Sequence, residues 1–163
     1  ALLAASGLPH VILRNGWYTE NYLASVPAAV AHGVVLGAAG DGRISSATRA
    51  DFAEAAAVVL TLPNQAGKVY ELAGDSSYSL TELAAEIAKQ SGKPVVYQNL
   101  TEEAYKAALE GFGLPEAFAG LLADSDVGAS KGALFDDGHQ LSQLIGRPTT
   151  PLAQAVAGAL AGM

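Results

Sequence analysis

The sequence has 163 residues, of which 50% are hydrophobic and 15% are charged, and its formal net charge at pH 7 is −7. This length and composition indicate one folded domain with a substantial core and argue against wholesale disorder. The negative charge argues against nucleic-acid binding, which depends on clustered Lys and Arg side chains. The absence of cysteine excludes disulfides, thiolate metal sites and cysteine nucleophiles, and it fits a cytoplasmic protein. No apolar run approaches the length needed to cross a membrane.

The first elements in the chain are a helix end, a strand and an interrupted helix. Residues 1–6 have the pattern of a helix that ends at a glycine. Residues 10–14 predict a strand, because they are rich in β-branched side chains. Residues 17–31 have a helical pattern, in which Pro27 predicts a kink or a break. Gly33 is the expected end of this helical region.

A glycine-rich stretch at residues 37–42 lies between two short strand candidates, 34–36 and 43–45. Three glycines raise the question of a phosphate-binding loop. Such a loop requires a helix that begins directly after it, and no helix start follows here. The pattern therefore favours a hairpin turn between the two strands.

Capping residues predict three helices in the middle of the chain. A side-chain oxygen that accepts a backbone N–H, with an acid three positions later, is typical of a helix start. The predicted caps are Thr48 with Asp51, Ser79 with Glu82, and Thr101 alone. Capping is the preferred role of Asp51, ahead of catalysis. Strands are expected at residues 68–72 and 94–99, so that strands and helices alternate as in an α/β fold.

The last part of the chain is expected to contain three helices and one irregular acidic segment. Pro115 suits the first turn of a helix that extends to about residue 124. Residues 124–137 predict a solvated acidic connection, since they lack the closing glutamate of a calcium loop. A short helix is expected at residues 141–145. Thr150 is the expected cap of the final helix, with Pro151 at its first position.

The densest group of chemically capable side chains follows the first strand. The apolar run 11–13 ends abruptly at the turn residues Arg14, Asn15 and Gly16. Polar and aromatic side chains follow at Trp17, Tyr18, Thr19, Glu20, Asn21 and Tyr22. In open α/β sheets, ligands bind just beyond the carboxyl ends of strands. The segment is therefore a candidate ligand site. The alternative interpretation is that Trp17 and Tyr22 are aromatic residues that cap the core.

Several other chemistries find no support in the sequence. The three histidines are too far apart to form a spaced metal-ligand pair, so no metal is expected. No serine lies in a G-x-S-x-G elbow, which argues against a hydrolase. The sequence also lacks the Tyr-x-x-x-Lys pair with which typical short-chain dehydrogenases transfer protons.

Residues 13–23 are similar to the post-strand segment of the NmrA-like branch of atypical short-chain dehydrogenases, especially its quinone-reducing members. The similarity continues through residues 44–52, 67–74, 124–130 and 144–149. The resemblance implies a Rossmann-type, doubly wound α/β fold with a small α/β substrate lobe. It also implies that residues 1–163 are a single C-terminal fragment without the N-terminal dinucleotide-binding βαβ unit.

The resemblance implies NADPH-dependent reduction of quinones by hydride transfer, with no metal and no flavin. An alternative in the same family is an NADP-binding redox sensor without catalysis. The isolated fragment is expected to be inactive, because the glycines that bind the pyrophosphate belong to the missing half. Expected partners are a quinone substrate, that N-terminal half and, through an apolar face, a second copy in a homodimer. Neither nucleic acid nor a membrane is expected.

The resemblance also assigns roles to residues beside the nicotinamide and the quinone. The residues expected to bind cofactor are Asn15, Gly16, Trp17, Tyr18, Thr19, Glu20 and Asn21. Asn21 is the expected catalytic residue, donating a hydrogen bond to the carboxamide or the quinone oxygen. Trp17, Tyr18 and Arg49 are expected to contact the substrate. Gly16 would allow the backbone to approach the ligand closely.

Overall fold

A computed structural model describes residues 2–163 of the chain, and Ala1, at the start of the predicted helix end, lies outside the described residues. Helices and strands alternate through most of the chain, as the sequence predicts. In order they are α1 (Leu2–Ala5), β1 (Ile12–Asn15), α2 (Thr19–Leu23), α3 (Val26–His32), β2 (Val34–Gly37), α4 (Arg49–Thr61), β3 (Val69–Leu72), α5 (Leu80–Ser91), β4 (Val96–Asn99), α6 (Glu102–Gly111), α7 (Glu116–Ser130), α8 (Gln140–Ile145) and α9 (Leu152–Ala161).

The four strands form two separate parallel pairs. β1 pairs with β3, with Ile12 opposite Val69 and Asn15 opposite Leu72. β2 pairs with β4 in the same sense. Parallel neighbours require long crossover connections, and helices supply most of those connections here. The predicted α/β class is confirmed.

Local signals placed most helix ends correctly. Ser79 and Glu82 form a complete capping box at the start of α5, while Thr48 caps α4 and Thr101 caps α6. The helical region after β1 is broken into α2 and α3, and Pro27 lies in the first turn of α3. Gly33 ends α3 with a φ of 75°, a left-handed conformation that glycine adopts without steric cost.

The predicted hairpin around residues 37–42 is wrong. Residues 43–45 form no strand beside β2, and Ile44 instead makes an isolated antiparallel bridge with Tyr78. β2 pairs in parallel with β4 and not with residues 43–45. The phosphate loop is also unsupported, because side chains already accept hydrogen bonds from three successive amides, those of residues 38–40.

The predicted acidic connection at residues 124–137 is wrong for its first half. α7 continues to Ser130, and Asp126 within it is 1% exposed instead of solvated. Its carboxylate accepts hydrogen bonds from another part of the fold, which anchors this helical turn. Two boundaries also differ by one residue: Pro115 and Pro151 are the N-caps of α7 and α9, not their first helical residues. Thr150 therefore does not cap α9.

The largest core packs around α5 and is shared by α3, β2 and α9. Its members without solvent exposure include Val26, Leu80, Leu83, Ile87 and Val156. A second core joins β3 to α4 and α8 through Phe52, Leu72 and Leu141. Burial of one such aliphatic or aromatic side chain stabilises the fold by about 1.5–3 kcal/mol. The β1–β3 pair that carries the candidate segment is thus fixed by the second core.

Some large apolar side chains remain on the surface. They include Leu60 and Leu62 at the end of α4, Val69 at the start of β3, Phe112 at the end of α6, and Phe118 and Leu121 in α7. Exposed apolar groups of this kind favour association. The self-association expected from the sequence stays a prediction, and sedimentation measures it. Among the described residues, every helix is too short or too polar to span a membrane.

Candidate functional site

The candidate segment begins where β1 ends, beside the end of β3. Because the two strands are parallel, their carboxyl ends lie at the same edge, with Asn15 opposite Leu72. The Gly16 amide donates to the Leu72 carbonyl oxygen over 2.8 Å. A Cβ at Gly16 would lie 2.9 Å from that oxygen. Gly16 is therefore required for the close approach of β3, whereas close approach to a ligand stays a prediction.

A cleft of about 430 Å³ opens at this edge. It is lined by residues 14–17 after β1, residues 71–73 after β3, residues 133–136 and Ser45. Ser45 holds the 133–136 side in place: its amide donates to the Leu134 carbonyl over 2.9 Å. Its Oγ accepts from the Asp136 amide over 3.1 Å. A cleft thus lies beyond the strand ends, where the sequence predicts a ligand site, and ligand binding there stays a prediction.

Among the cleft residues that the sequence predicts to be part of the site, Trp17 has the largest side chain. It is half-buried, and its ring lies 6.0 Å from the Tyr22 ring at an angle of 51°. Its Nε1 is buried without a hydrogen-bond partner among the described residues. Both interpretations of the aromatic pair therefore hold in part: Tyr22 is a core residue, and Trp17 packs on the core while lining the cleft.

Tyr18 lies behind the cleft against the second core. Its ring meets Phe52 edge-on, with centroids 5.3 Å apart. Its hydroxyl accepts a hydrogen bond from Asn15 Nδ2 over 3.2 Å. The Arg49 guanidinium lies 5.1 Å from the Tyr18 ring centroid, a cation–π contact. This packing orients Asn15, which does line the cleft.

Glu20, Asn21 and Arg49 form a second polar group next to Tyr18. Glu20 Oε1 accepts from the Arg49 amide over 2.9 Å, at the N-terminus of α4. Arg49 Nη2 donates to Asn21 Oδ1 over 3.4 Å, a long hydrogen bond. Glu20 Oε2 is buried without a partner among the described residues. Thr19 is buried and shares a 2.8 Å hydrogen bond with Ser46.

The structure divides the predicted site residues into two neighbouring groups. Asn15, Gly16 and Trp17 line the cleft. The other five are absent from the lining of this cleft in the described chain: Tyr18, Thr19, Glu20, Asn21 and Arg49. They form a neighbouring group in which Arg49 contacts both Tyr18 and Asn21. Their binding and catalytic roles stay predictions.

Sequence reasoning missed part of the lining. Phe135 and Asp136 come from a distant segment that received no chemical role, and Glu71 comes from β3. Arg14 and Glu71 lie opposite each other in the strand register and form a 2.6 Å ion pair in the lining of the cleft. Both are solvent-exposed, so the pair adds little stability. The one sequence signal for the Arg14–Glu71 contact is that opposite charges on neighbouring strands tend to lie across from each other.

No group of three metal-ligating side chains occurs among residues 2–163. The fold, with parallel strands and a cleft at their carboxyl ends, is that of NAD(P)-binding Rossmann-type proteins.

Comparison with known proteins gives the family. No family model matches the chain. Quinone oxidoreductase 2 of Escherichia coli K12 is 64% identical over 155 residues, which cover 95% of this chain and 54% of that protein. The crystal structure of an NADPH-dependent quinone oxidoreductase from Escherichia coli complexed with NADPH superposes with a TM-score of 0.95 and 63% identity, covering 98% of this chain and 56% of that one. Triphenylmethane reductase of Citrobacter sp. gives a TM-score of 0.91 at 34% identity, covering 98% of this chain and 55% of that one.

The chain belongs to the NmrA-like atypical short-chain dehydrogenase family, as its motifs indicate. It spans about half the length of the curated Escherichia coli relative.

Proposed function

We propose that this chain supplies the acceptor side of the active site in an NADPH-dependent quinone reductase. The observation that carries the proposal is the cleft at the carboxyl ends of β1 and β3, with Trp17 in its wall. A flat, apolar acceptor fits a cleft that has Trp17 and Phe135 among its lining side chains. The 64% identity with quinone oxidoreductase 2 supports the same chemistry.

In this proposal the chain provides the late strands of the Rossmann sheet together with a small substrate lobe. The β1–β3 pair belongs to the sheet, and the β2–β4 pair with α6 and α7 belongs to the lobe. The dinucleotide-binding βαβ unit then corresponds to the part of the relatives that this chain does not span. The cofactor and the quinone would meet between the two.

Two buried polar atoms fit a nicotinamide cofactor beside residues 15–21. Trp17 Nε1 and Glu20 Oε2 are buried without hydrogen-bond partners in the described part of the chain. Buried polar atoms are normally paired, so each of these has capacity for a partner from outside this chain. Asn15 and Asn21 carry amide donors and acceptors on the same segment. These residues would hold the nicotinamide end of NADPH.

NADPH supplies the hydride when it is bound. The residues of this chain would hold the acceptor ring against it and exclude water from the cleft, because positioning the two reactants lowers the barrier to hydride transfer. An electron-poor quinone needs little help from a protein acid, in keeping with the missing Tyr-x-x-x-Lys pair. Asn21 Nδ2 would donate a hydrogen bond to the carboxamide or the quinone oxygen, where negative charge develops.

A chimera tests the proposed function directly. This chain replaces the matching segment of Escherichia coli quinone oxidoreductase 2, and NADPH oxidation by benzoquinone is followed spectroscopically. We expect quinone-dependent oxidation in the chimera and none in the isolated chain. NADPH binding by calorimetry without quinone-dependent oxidation would refute the enzyme and favour the redox sensor.

The chimera also tests the role of Asn21. Asn21→Ala should lower kcat/KM by about tenfold, the effect of losing one hydrogen bond that strengthens in the transition state. Gln143→Ala, which removes an exposed amide on α8, is the matched control and should leave the kinetics unchanged. Equal kinetics for the Asn21 variant and this control would reject a catalytic role for Asn21.

A further inference from the structure

Asp126 is a buried carboxylate that the proposed reaction does not use directly. It lies in α7 with 1% exposure, far from the candidate segment in sequence. Its Oδ1 accepts the Tyr22 hydroxyl hydrogen over 2.8 Å, and its Oδ2 accepts from the Ala38 amide over 2.8 Å. A buried carboxylate is costly to retain unless its hydrogen bonds compensate for lost hydration. These two bonds therefore fix its position.

The loop after β2 is shaped around this carboxylate. A Cβ at Gly37 would lie 2.7 Å from Asp126 Oδ2, so glycine leaves the space that the carboxylate occupies. Tyr97 donates its hydroxyl hydrogen to Asn99, and that hydroxyl oxygen accepts from the Ala39 amide next to the site. The small lobe thus presents Asp126 to Tyr22 from a rigid frame.

Tyr22 connects this frame to the cleft. It lies in α2, as the last residue of the candidate segment, and is 7% exposed. Its ring packs against Trp17 at a centroid distance of 6.0 Å. Trp17 in turn lines the cleft. One continuous set of contacts therefore runs from Asp126 to the wall of the proposed acceptor site.

We propose that Asp126 is a positioning residue for the proposed quinone site, holding the Trp17 wall in place through the Tyr22 hydroxyl. The proposal rests on the proposed function for its kinetic consequence, while its structural part concerns Trp17 alone. Without the hydrogen bond, the Tyr22 ring loses its anchor at the far end. Trp17 then samples more orientations, and a flat acceptor is held less well.

The first test uses the isolated chain, in which Trp17 is the sole tryptophan. Tyr22→Phe keeps the ring and removes the hydroxyl. We expect its near-UV circular dichroism at tryptophan wavelengths to weaken and acrylamide quenching to increase. The matched control is Tyr105→Phe, which removes another buried tyrosine hydroxyl near Asp126 but not one bonded to it in the described structure. The control should retain the wild-type signals.

Two substitutions at Asp126 sharpen the test. Asp126→Asn retains one acceptor for the Ala38 amide and one donor for the Tyr22 hydroxyl oxygen, so Trp17 should keep its wild-type signals. Asp126→Ala removes both partners and should reproduce the Tyr22→Phe signals. If Asp126→Ala does not fold, Tyr22→Phe and its control still decide the structural part.

The chimera supplies the kinetic test. Tyr22→Phe should raise KM for benzoquinone roughly three- to tenfold, with a smaller fall in kcat, because acceptor binding is weakened. A purely structural role would lower the folded fraction and leave KM unchanged. Trp17 signals and KM for Tyr22→Phe equal to those for Tyr105→Phe would overturn the proposal. An inactive chimera with altered Trp17 signals would instead refute the proposed function and retain the structural link.

Discussion

Asp51 in α4 holds residues 147–150, the segment before α9, through hydrogen bonds. The carboxylate is fully buried. Its Oδ2 accepts from the Thr48 hydroxyl over 2.8 Å and from the Thr150 amide over 3.0 Å. Its Oδ1 accepts from Arg147 Nη2 over 2.8 Å and from the Thr150 hydroxyl over 3.1 Å. Thr48 caps α4 by accepting from the Asp51 amide. The Asp51 carboxylate accepts from the Thr48 hydroxyl and from Arg147 and Thr150, and from no amide of α4 among the described residues, so the predicted capping role of this side chain is wrong and its role is to fix residues 147–150.

We expect Asp51→Asn to destabilise the chain. The amide group of asparagine places donor hydrogens where the Thr150 and Arg147 donors already converge, so buried donors lose their acceptor. Lost hydrogen bonds to a charged group contribute about 1.5–3 kcal/mol each and are not additive, so the free energy of unfolding should fall by about 3 kcal/mol. At about 2–4 °C for each kcal/mol in a chain of this size, Tm falls by about 6–12 °C. Thermal and urea unfolding measure both values.

Glu54→Gln is the matched control, since Glu54 also pairs with Arg147 but faces solvent. It should leave Tm within experimental error, because exposed ion pairs contribute little. Equal Tm values for the two variants would refute the reasoning from burial.

The pH dependence gives a second check on Asp51. Burial acts to raise its pKa, but hydrogen bonds led by those from Thr150 and Thr48 outweigh burial and lower the pKa below its usual value. The stabilisation is then fully present above that usual value and is lost as the pH falls below about 4. The difference between wild type and Asp51→Asn should shrink in the same range.

Two further predictions concern the same part of the fold. Gly74→Ala should lower the free energy of unfolding by at least about 1–3 kcal/mol, because its Cβ would overlap a backbone carbonyl oxygen. The control Gly158→Ala, in open space on α9, should raise the free energy of unfolding by roughly 0.5–1 kcal/mol. Chemical unfolding compares the two variants, and similar values would contradict the overlap. Burial acts to raise the pKa of Asp75, but hydrogen bonds led by the one from Ser142 outweigh it and lower the pKa. The stabilisation by Asp75 is thus lost only below about pH 4. In that range the Thr149 amide hydrogen should lose its protection against exchange, because its acceptor becomes protonated. A Thr149 exchange rate that follows the general pH trend of the other amides would show that the Asp75 contact does not protect this amide.

Sequence was a good guide wherever the deciding interaction is local. The Ser79–Glu82 capping box joins residues three apart, and Gly33 ends α3 through its own backbone conformation. The position of Asn15 and Trp17 at a strand end also follows from local order, because an apolar run followed by turn residues marks where a strand stops. Parallel pairing then brings that end to an edge where ligands bind.

Errors arose where a distant partner decides the structure. Residues 124–130 have acidic and glycine residues that suggest a loop, but Tyr22 and the Ala38 amide engage Asp126 and the helix continues. Residues 43–45 were assigned to a hairpin, but β2 pairs with the sequence-distant β4. Neither partner can be identified from spacing alone, since contacts between remote segments leave no periodic signal.

The sequence by itself determined the α/β class, most helix and strand positions, the family resemblance and the segment that carries Asn15, Gly16 and Trp17. Only the tertiary structure decided which residues face that segment across the cleft. Phe135 and Asp136 reach it because Ser45 binds the backbone of Leu134 and Asp136, and Glu71 reaches it through strand register. The physical reason is that capping and periodicity act over three or four residues, whereas a cleft is made by segments that meet only when the core has packed.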